Sequence, residues 1–212
     1  MYKKSLLILC VLTIIMAILI PSVAYGQGKV IVLYGDSQFS GKTTVAAKLA
    51  AKRADNGDTV ITIADSWTSH HAKKNIKKEV IKPYSPNVIV LNFGLNDASR
   101  DTKGHNRNKL STYVNNMKSA IKKAQKTGAQ VIVLTPIPLD YNTRAGLWTD
   151  SDIAAYASSL AGLASSMGVT VIDAYTLFKS QPNYHLNLLA DGLHFSDQGS
   201  ELIADQIDAA IP

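Results

Sequence analysis

From residue 27 onward the chain alternates short β-branched runs with longer amphipathic stretches. The tetrapeptide Val-Ile-Val-Leu occurs at 30–33, 88–91 and 131–134, and 59–65 and 170–175 are runs of the same kind. Continuous Val/Ile runs belong to strands covered on both faces, so five strands of a parallel sheet are expected. Helices are expected near 41–53, 70–82, 107–127, 149–167 and 196–211, each between consecutive strands or after the last. Every crossover is then a right-handed βαβ unit. No linker, repeat or low-complexity segment interrupts the alternation, which predicts one three-layer α/β domain over 27–212. Its ligands should sit outside the carboxyl ends of the strands.

The segment before residue 27 has a different pattern. Lys3 and Lys4 precede an unbroken run, 6–20, whose only polar member is Thr13, and Pro21 ends it. Ser22-Val23-Ala24 and Ala24-Tyr25-Gly26 put small residues where signal peptidase cuts, so 1–26 reads as a signal peptide. An uncleaved anchor is the alternative, although the run is short of the roughly 20 residues that span a bilayer. Either way the domain is expected to be exported: secreted, periplasmic or attached to the cell surface.

Composition narrows the chemistry. With 212 residues, 46% hydrophobic and 18% charged, the chain is globular rather than disordered. Its single cysteine, Cys10, lies in the N-terminal run, which removes disulfides, cysteine nucleophiles and cysteine-based zinc sites from the domain. The net charge of +6 hides a division: residues 1–126 carry 20 Lys and Arg against 7 Asp and Glu, whereas 127–212 carry 2 against 9. Lys73, Lys74, Lys77, Lys78 and Lys82, then Lys118, Lys122, Lys123 and Lys126, fall at helical spacings and make two basic helix faces. They suit an anionic envelope surface, or are simply a solvated helix surface. No aromatics interleave with them, so no nucleic-acid partner is expected.

Candidate chemistry gathers where the strands end. Gly35-Asp36-Ser37 follows the first strand and reads as a nucleophile turn, with the serine hydroxyl exposed at a strand-to-helix junction and its N–H aligned with the helix dipole. The same stretch continues into Ser40-Gly41-Lys42-Thr43-Thr44, which suggests a phosphate-binding P-loop as a rival. That motif needs a glycine at position 36, where this chain has an aspartate that would repel phosphate. After the third strand, Phe93-Gly94-Leu95-Asn96-Asp97 brings an amide donor to the same sheet edge. Near the C-terminus, Asp191-Gly192-Leu193-His194 leads into the last helix. The i, i+3 spacing lets Asp191 hold one ring nitrogen of His194 while the other faces the serine. His70, His71, His105 and His185 are assigned surface or packing roles.

These three blocks, in this order, resemble the SGNH hydrolase, or GDSL-type esterase/lipase, family. The resemblance covers the whole mature chain and implies a flavodoxin-like three-layer α/β/α sandwich with a five-stranded parallel sheet. It implies Ser37 as nucleophile, Asp191 and His194 as its partners, and the Ser37 N–H and Asn96 side chain as oxyanion donors. It also implies acyl transfer through an acyl-enzyme, with no metal and no cofactor. One block departs. Where the family usually has a glycine after the second strand, this chain runs Ala64-Asp65-Ser66-Trp67-Thr68, and an ungapped register puts Trp67 there. The Trp67 backbone N–H is therefore the expected third donor where the dihedrals permit a side chain; the alternative is a hole resting on the Ser37 N–H and Asn96 alone.

Trp67, Trp148 and Tyr141 all fall in loops at the strands' carboxyl ends. Flat aromatics around a polar cleft suit stacking on sugar rings, so an O-acylated carbohydrate, with acetyl as the expected acyl group, is the favoured substrate class. Packing of the loops is the competing explanation. A lipid esterase or lysophospholipase, an acyltransferase of the same fold, and a glycan-binding module with weak catalysis are the other readings.

Overall fold

A computed structural model describes residues 28–144 and 146–212; the export signal expected over 1–26 lies outside them. Five parallel strands form one sheet: β1 (Val30–Gly35), β2 (Thr59–Ala64), β3 (Val88–Asn92), β4 (Gln130–Leu134) and β5 (Thr170–Ile172). Their order is β2-β1-β3-β4-β5, the flavodoxin-like arrangement. The chain reverses its direction of travel at β1, so the carboxyl ends of β1 and β3 flank the topological switch point, where such sheets open a crevice. The three Val-Ile-Val-Leu runs are the central strands, and in register they stack Val32 beside Ile89 and Ile89 beside Val131. Ile31 to Tyr34, Val88 to Leu91 and Ile132 to Leu134 are essentially inaccessible, each large aliphatic contributing roughly 1.5–3 kcal/mol by burial.

The helices are α1 (Val45–Arg53), α2 (Ser69–Ile76), α3 (Lys82–Tyr84), α4 (Leu95–Ala98), α5 (Leu110–Gln125), α6 (Asp150–Ser166), α7 (Ala174–Lys179), α8 (Tyr184–Asn187) and α9 (Asp197–Ala210). A π-helical segment, Lys77–Ile81, joins α2 to α3. α1 packs against α9, while α5 packs against both α2 and α6. These two groups are the outer layers that right-handed crossovers require once the strand order reverses.

The expected elements are present, with corrections at their ends. The first helix begins at Val45 rather than 41, because the Thr43 N–H bonds back to the Ser40 carbonyl and the Thr44 N–H goes to Ser200 Oγ, closing a turn. The third expected helix, placed from 107, begins at Leu110. The fifth strand stops at Ile172: Asp173 caps the next turn by accepting from the Thr176 N–H, so residues 174 and 175 are helical. The short helices α4, α7 and α8 were not anticipated, since four to six residues are too few to show a period.

Candidate active site

At the carboxyl end of β1 the chain turns sharply into a single 3-10 turn, Ser37–Phe39. Gly35 makes this possible: a Cβ there would stand 2.6 Å from the Asn92 carbonyl oxygen of the neighbouring strand, whose carbonyl accepts the Asp36 N–H at 2.8 Å. Asp36 caps the turn, its Oδ1 accepting from the Gln38 N–H at 3.0 Å. Ser37 therefore starts a helical turn with its own N–H bound to no acceptor among the described residues. Gln38 ties the turn to the C-terminal loop, donating from Nε2 to the Leu193 carbonyl at 2.7 Å and accepting the Phe195 N–H at 3.2 Å.

That loop carries His194 and Asp191. His194 Nε2 lies 3.1 Å from Ser37 Oγ, and His194 Nδ1 lies 2.9 Å from Asp191 Oδ2. The other carboxylate oxygen of Asp191 accepts the backbone N–H of His194 at 2.8 Å and of Leu193 at 3.0 Å. Partial burial raises the Asp191 pKa, but the His194 amide and ring and the Leu193 amide outweigh it and hold the carboxyl at about 2. Gly192 lets the loop close, with φ +76° and no room for a side chain against Thr143 Oγ1. Arg144, from the segment after β4, clasps the acid: its Nη2 donates to the Asp191 carbonyl at 2.7 Å and sits 3.2 Å from Asp191 Oδ2. Arg144 has no counterpart in the motif spacing, and only the folded loop reveals it.

Asn96 stands in α4, just beyond the carboxyl end of β3. Gly94 precedes it at φ +132°, in a position where a Cβ would collide with Tyr113 and Pro136. The side-chain amide of Asn96 donates one N–H to the Trp67 carbonyl at 3.1 Å, which leaves its second N–H for another acceptor. Next to it Asp97 is wholly buried and accepts from the Ser69 N–H, the Ser69 hydroxyl and Asn108 Nδ2, and Asn116 Nδ2 reaches the same hydroxyl. Burial keeps the Asp97 pKa raised despite these donors. This network locks α4 to α2 and α5 and so fixes where Asn96 points.

Trp67 occupies the glycine-less block, and its backbone N–H is already used, donating to the Asp65 carbonyl in a tight turn. The third oxyanion donor expected at Trp67 is thus turned inward. The backbone there is not left-handed, the positive-φ non-glycine residues among those described being Ser85 and Asn183, so a tryptophan meets no left-handed strain. Its ring stacks on His71, centroids 3.8 Å apart and planes within 9°. His71 in turn meets Glu79 at 2.7 Å, and Tyr34 donates to the same carboxylate oxygen. His71, assigned a surface or packing role, and Tyr34 hold this tryptophan in place, and Glu79 joins the two.

Trp148 lies half-buried with its indole N–H donating to the Leu95 carbonyl at 2.8 Å, which braces α4. Tyr141 is half-buried beside the 191–194 loop, where the neighbouring Asp140 N–H donates to the Gly192 carbonyl at 3.0 Å. The structure therefore brings Ser37, His194 and Asp191 into direct contact and links Asn96 to Trp67. Tyr141 and Trp148 belong to the single segment joining β4 to α6, where both have packing roles. Among the described residues no three His, Asp or Glu side chains cluster as metal ligands. The P-loop alternative finds no phosphate nest, since the N–H groups of residues 42–44 turn back onto Ser40 and Ser200.

Comparison with known proteins places this geometry in context. Residues 22–202 match the model of the GDSL-like Lipase/Acylhydrolase family. A GDSL esterase/lipase of rice, Oryza sativa subsp. japonica, is 26% identical over 194 residues, spanning 83% of this chain and 75% of that protein. The lipase/acylhydrolase from Enterococcus faecalis superposes with a TM-score of 0.75 at 27% identity, covering 86% of this chain and 95% of the other. An acetyl xylan esterase shares the fold at 18% identity, with a TM-score of 0.72 over 86% of this chain and 100% of its own.

Proposed function

Since this chain belongs to the GDSL-like lipase/acylhydrolase family and is a carboxylic ester hydrolase, we propose that it removes small acyl groups, acetyl foremost, from carbohydrate. Ser37, His194 and Asp191 carry out the chemistry. The observation that supports this most directly is the unbroken chain of contacts from Ser37 Oγ to His194 Nε2 and from His194 Nδ1 to Asp191 Oδ2, at 3.1 and 2.9 Å.

In this reading Ser37 Oγ attacks the ester carbonyl carbon while His194 Nε2 takes its proton. Asp191 fixes the ring tautomer and stabilises the imidazolium that forms. Negative charge gathers on the carbonyl oxygen, where two donors are disposed to receive it: the Ser37 N–H and the second N–H of the Asn96 amide. Each is worth about 3 kcal/mol in the transition state. Collapse breaks the bond to the alcohol oxygen, which leaves with the proton from His194. Water then attacks the acyl-enzyme with His194 again as base, releasing the carboxylic acid and restoring Ser37.

The preference for a carbohydrate alcohol rests on Trp67, held flat beside Asn96, and on the shared fold of the acetyl xylan esterase. The apolar run at 6–20 supports export, where acylated polysaccharides are met. A panel of p-nitrophenyl esters of increasing chain length, run beside acetylated polysaccharides with acetate release measured, tests the assignment. Activity restricted to short esters and acetylated glycan is expected, and activity only on long-chain esters would overturn the carbohydrate reading.

A further inference from the structure

Beyond Asn96 the surface opens into a cleft of about 430 Å³ between the loop after β2, α2 and the segment leading into α5. Trp67, Thr68, His70, Lys74 and Arg107 are among the residues that line it. Because the Asn96 amide is bonded to the Trp67 carbonyl, this cleft begins one residue from the proposed oxyanion donor. Lys74 and Arg107 are exposed and have no carboxylate partner among the described residues. Of the acids in this region, Glu79 is engaged with His71 and Tyr34, Asp101 with His105 and Asp152 with Arg100, while the exposed Asp65 beside Ser66 accepts the Ser66 N–H and forms no ion pair among the described residues.

The surrounding surface carries the same charge. α2 and α5 lie side by side, and Lys123 bridges them by donating to the Lys73 carbonyl. Lys118, Lys122, Lys123 and Lys126 line a further hollow of about 360 Å³. The opposite helix layer is treated differently. There Lys48 pairs with Asp197 and Glu201, Lys52 with Glu201 and Asp205, and Arg53 with Asp58 and Asp208. One layer thus neutralises its cations internally, whereas the layer bordering the cleft leaves them uncompensated. Such an arrangement costs self-repulsion unless an anion answers it.

Resting on the esterase reading above, we propose that this cleft is an anion-binding subsite and that the natural substrate is an acidic polysaccharide bearing acyl esters. A sugar ring next to the reacting ester lies against Trp67, and its carboxylate or phosphate sits between Lys74 and Arg107, a point charge and a bidentate fork that both suit such groups. The polymer continues over the lysines of α2 and α5.

The test measures binding apart from hydrolysis. Full-length Ser37→Ala protein is titrated with oligogalacturonate, a phosphate-bearing oligosaccharide and neutral xylo-oligosaccharide of equal length. Tighter binding of an acidic oligomer than of the neutral one, weakening steeply with salt, is expected, and the better acidic ligand identifies the acid. Adding Lys74→Glu and Arg107→Glu should weaken that binding by about tenfold, since both exposed charge contacts are lost. The milder pair Lys74→Gln and Arg107→Gln, checked for folding by circular dichroism, should weaken it in the same direction. Equal affinity for neutral and acidic oligomers, or unchanged affinity in both double variants, would overturn the subsite. Hydrolysis of p-nitrophenyl acetate by the unaltered protein reports on the esterase reading alone, so the two failures are distinguishable.

Discussion

Asp36 adjoins Ser37 in the chain and Asp191 reaches it through His194, yet the two regions handle a carboxylate in opposite ways. The Asp191 side chain is 48% exposed and receives the His194 ring, two backbone N–H groups and Arg144. Its carboxyl is held at about 2. Asp36 is 1% exposed, its Oδ1 accepts the Gln38 N–H, and its Oδ2 is buried with no partner. Burial pushes its pKa up, the Gln38 amide offsets part of this, and the Asp97 carboxylate adds to it, leaving the group at about 7. Donors, rather than exposure alone, decide which acid stays charged. The pH consequences have opposite sign. The depressed Asp191 contributes stability that is present above its ordinary value near 4 and is lost as pH falls through about 2. The raised Asp36 favours the fold fully below 4, and that contribution is lost as pH rises through about 7.

The largest expected effect comes from removing the groups that Asp191 serves. Ser37→Ala and His194→Ala should each lower turnover of p-nitrophenyl acetate by about 10⁴- to 10⁶-fold without changing the melting temperature. Substantial activity in either purified variant would detach Asp191 from catalysis altogether. Asp191→Asn should cost about 10³- to 10⁴-fold in kcat, because an amide cannot stabilise the imidazolium or enforce its tautomer. A loss under tenfold would show that the backbone N–H groups hold this loop and that the carboxylate does little.

Asp36→Asn sharpens the contrast from the other side. The Gln38 cap survives on the amide oxygen while the buried charge disappears, so stability at pH 8 should rise by up to about 4 kcal/mol, with no gain at pH 4. Urea denaturation at both pH values reads this directly; a loss at pH 8 would mean that Asp36 is charged and satisfied, and a gain at pH 4 equal to that at pH 8 would mean that its protonation has no part in the effect. Asn96→Ala should lower kcat about a hundredfold with little change in KM, as expected for a donor to the transition state, and a rise in KM alone would reassign it to substrate binding. Smallest is Arg144→Ala. Removing one partly exposed, charge-assisted clasp from Asp191 should reduce kcat about three- to tenfold, with Arg144→Lys recovering part of the loss. An unchanged rate would leave the donors within the 191–194 loop sufficient to hold the acid.

The sequence alone determined the sheet and the candidate reacting groups. Three repeats of Val-Ile-Val-Leu are legible as buried strands because parallel strands bury both faces, so the signal survives without knowledge of any neighbour. Ser37, Asn96, Asp191 and His194 are legible because each sits in a short block whose local turn fixes its geometry, Gly35 and Gly192 being needed where they stand. Helix 45–53 is read four residues too long at its start because that start depends on Ser200, from the far end of the chain. Trp67 shows the same boundary within the site: its position came from register, but whether its N–H faces an oxyanion depended on a turn that commits that proton to Asp65. Arg144 on Asp191 and Glu79 on Tyr34 are contacts between residues far apart in the chain, and the lysines left uncompensated beside a neutralised layer likewise depend on which elements the fold brings together. A local pattern records the chemistry that a residue brings, whereas tertiary packing decides which partner receives it and which charge is left without one.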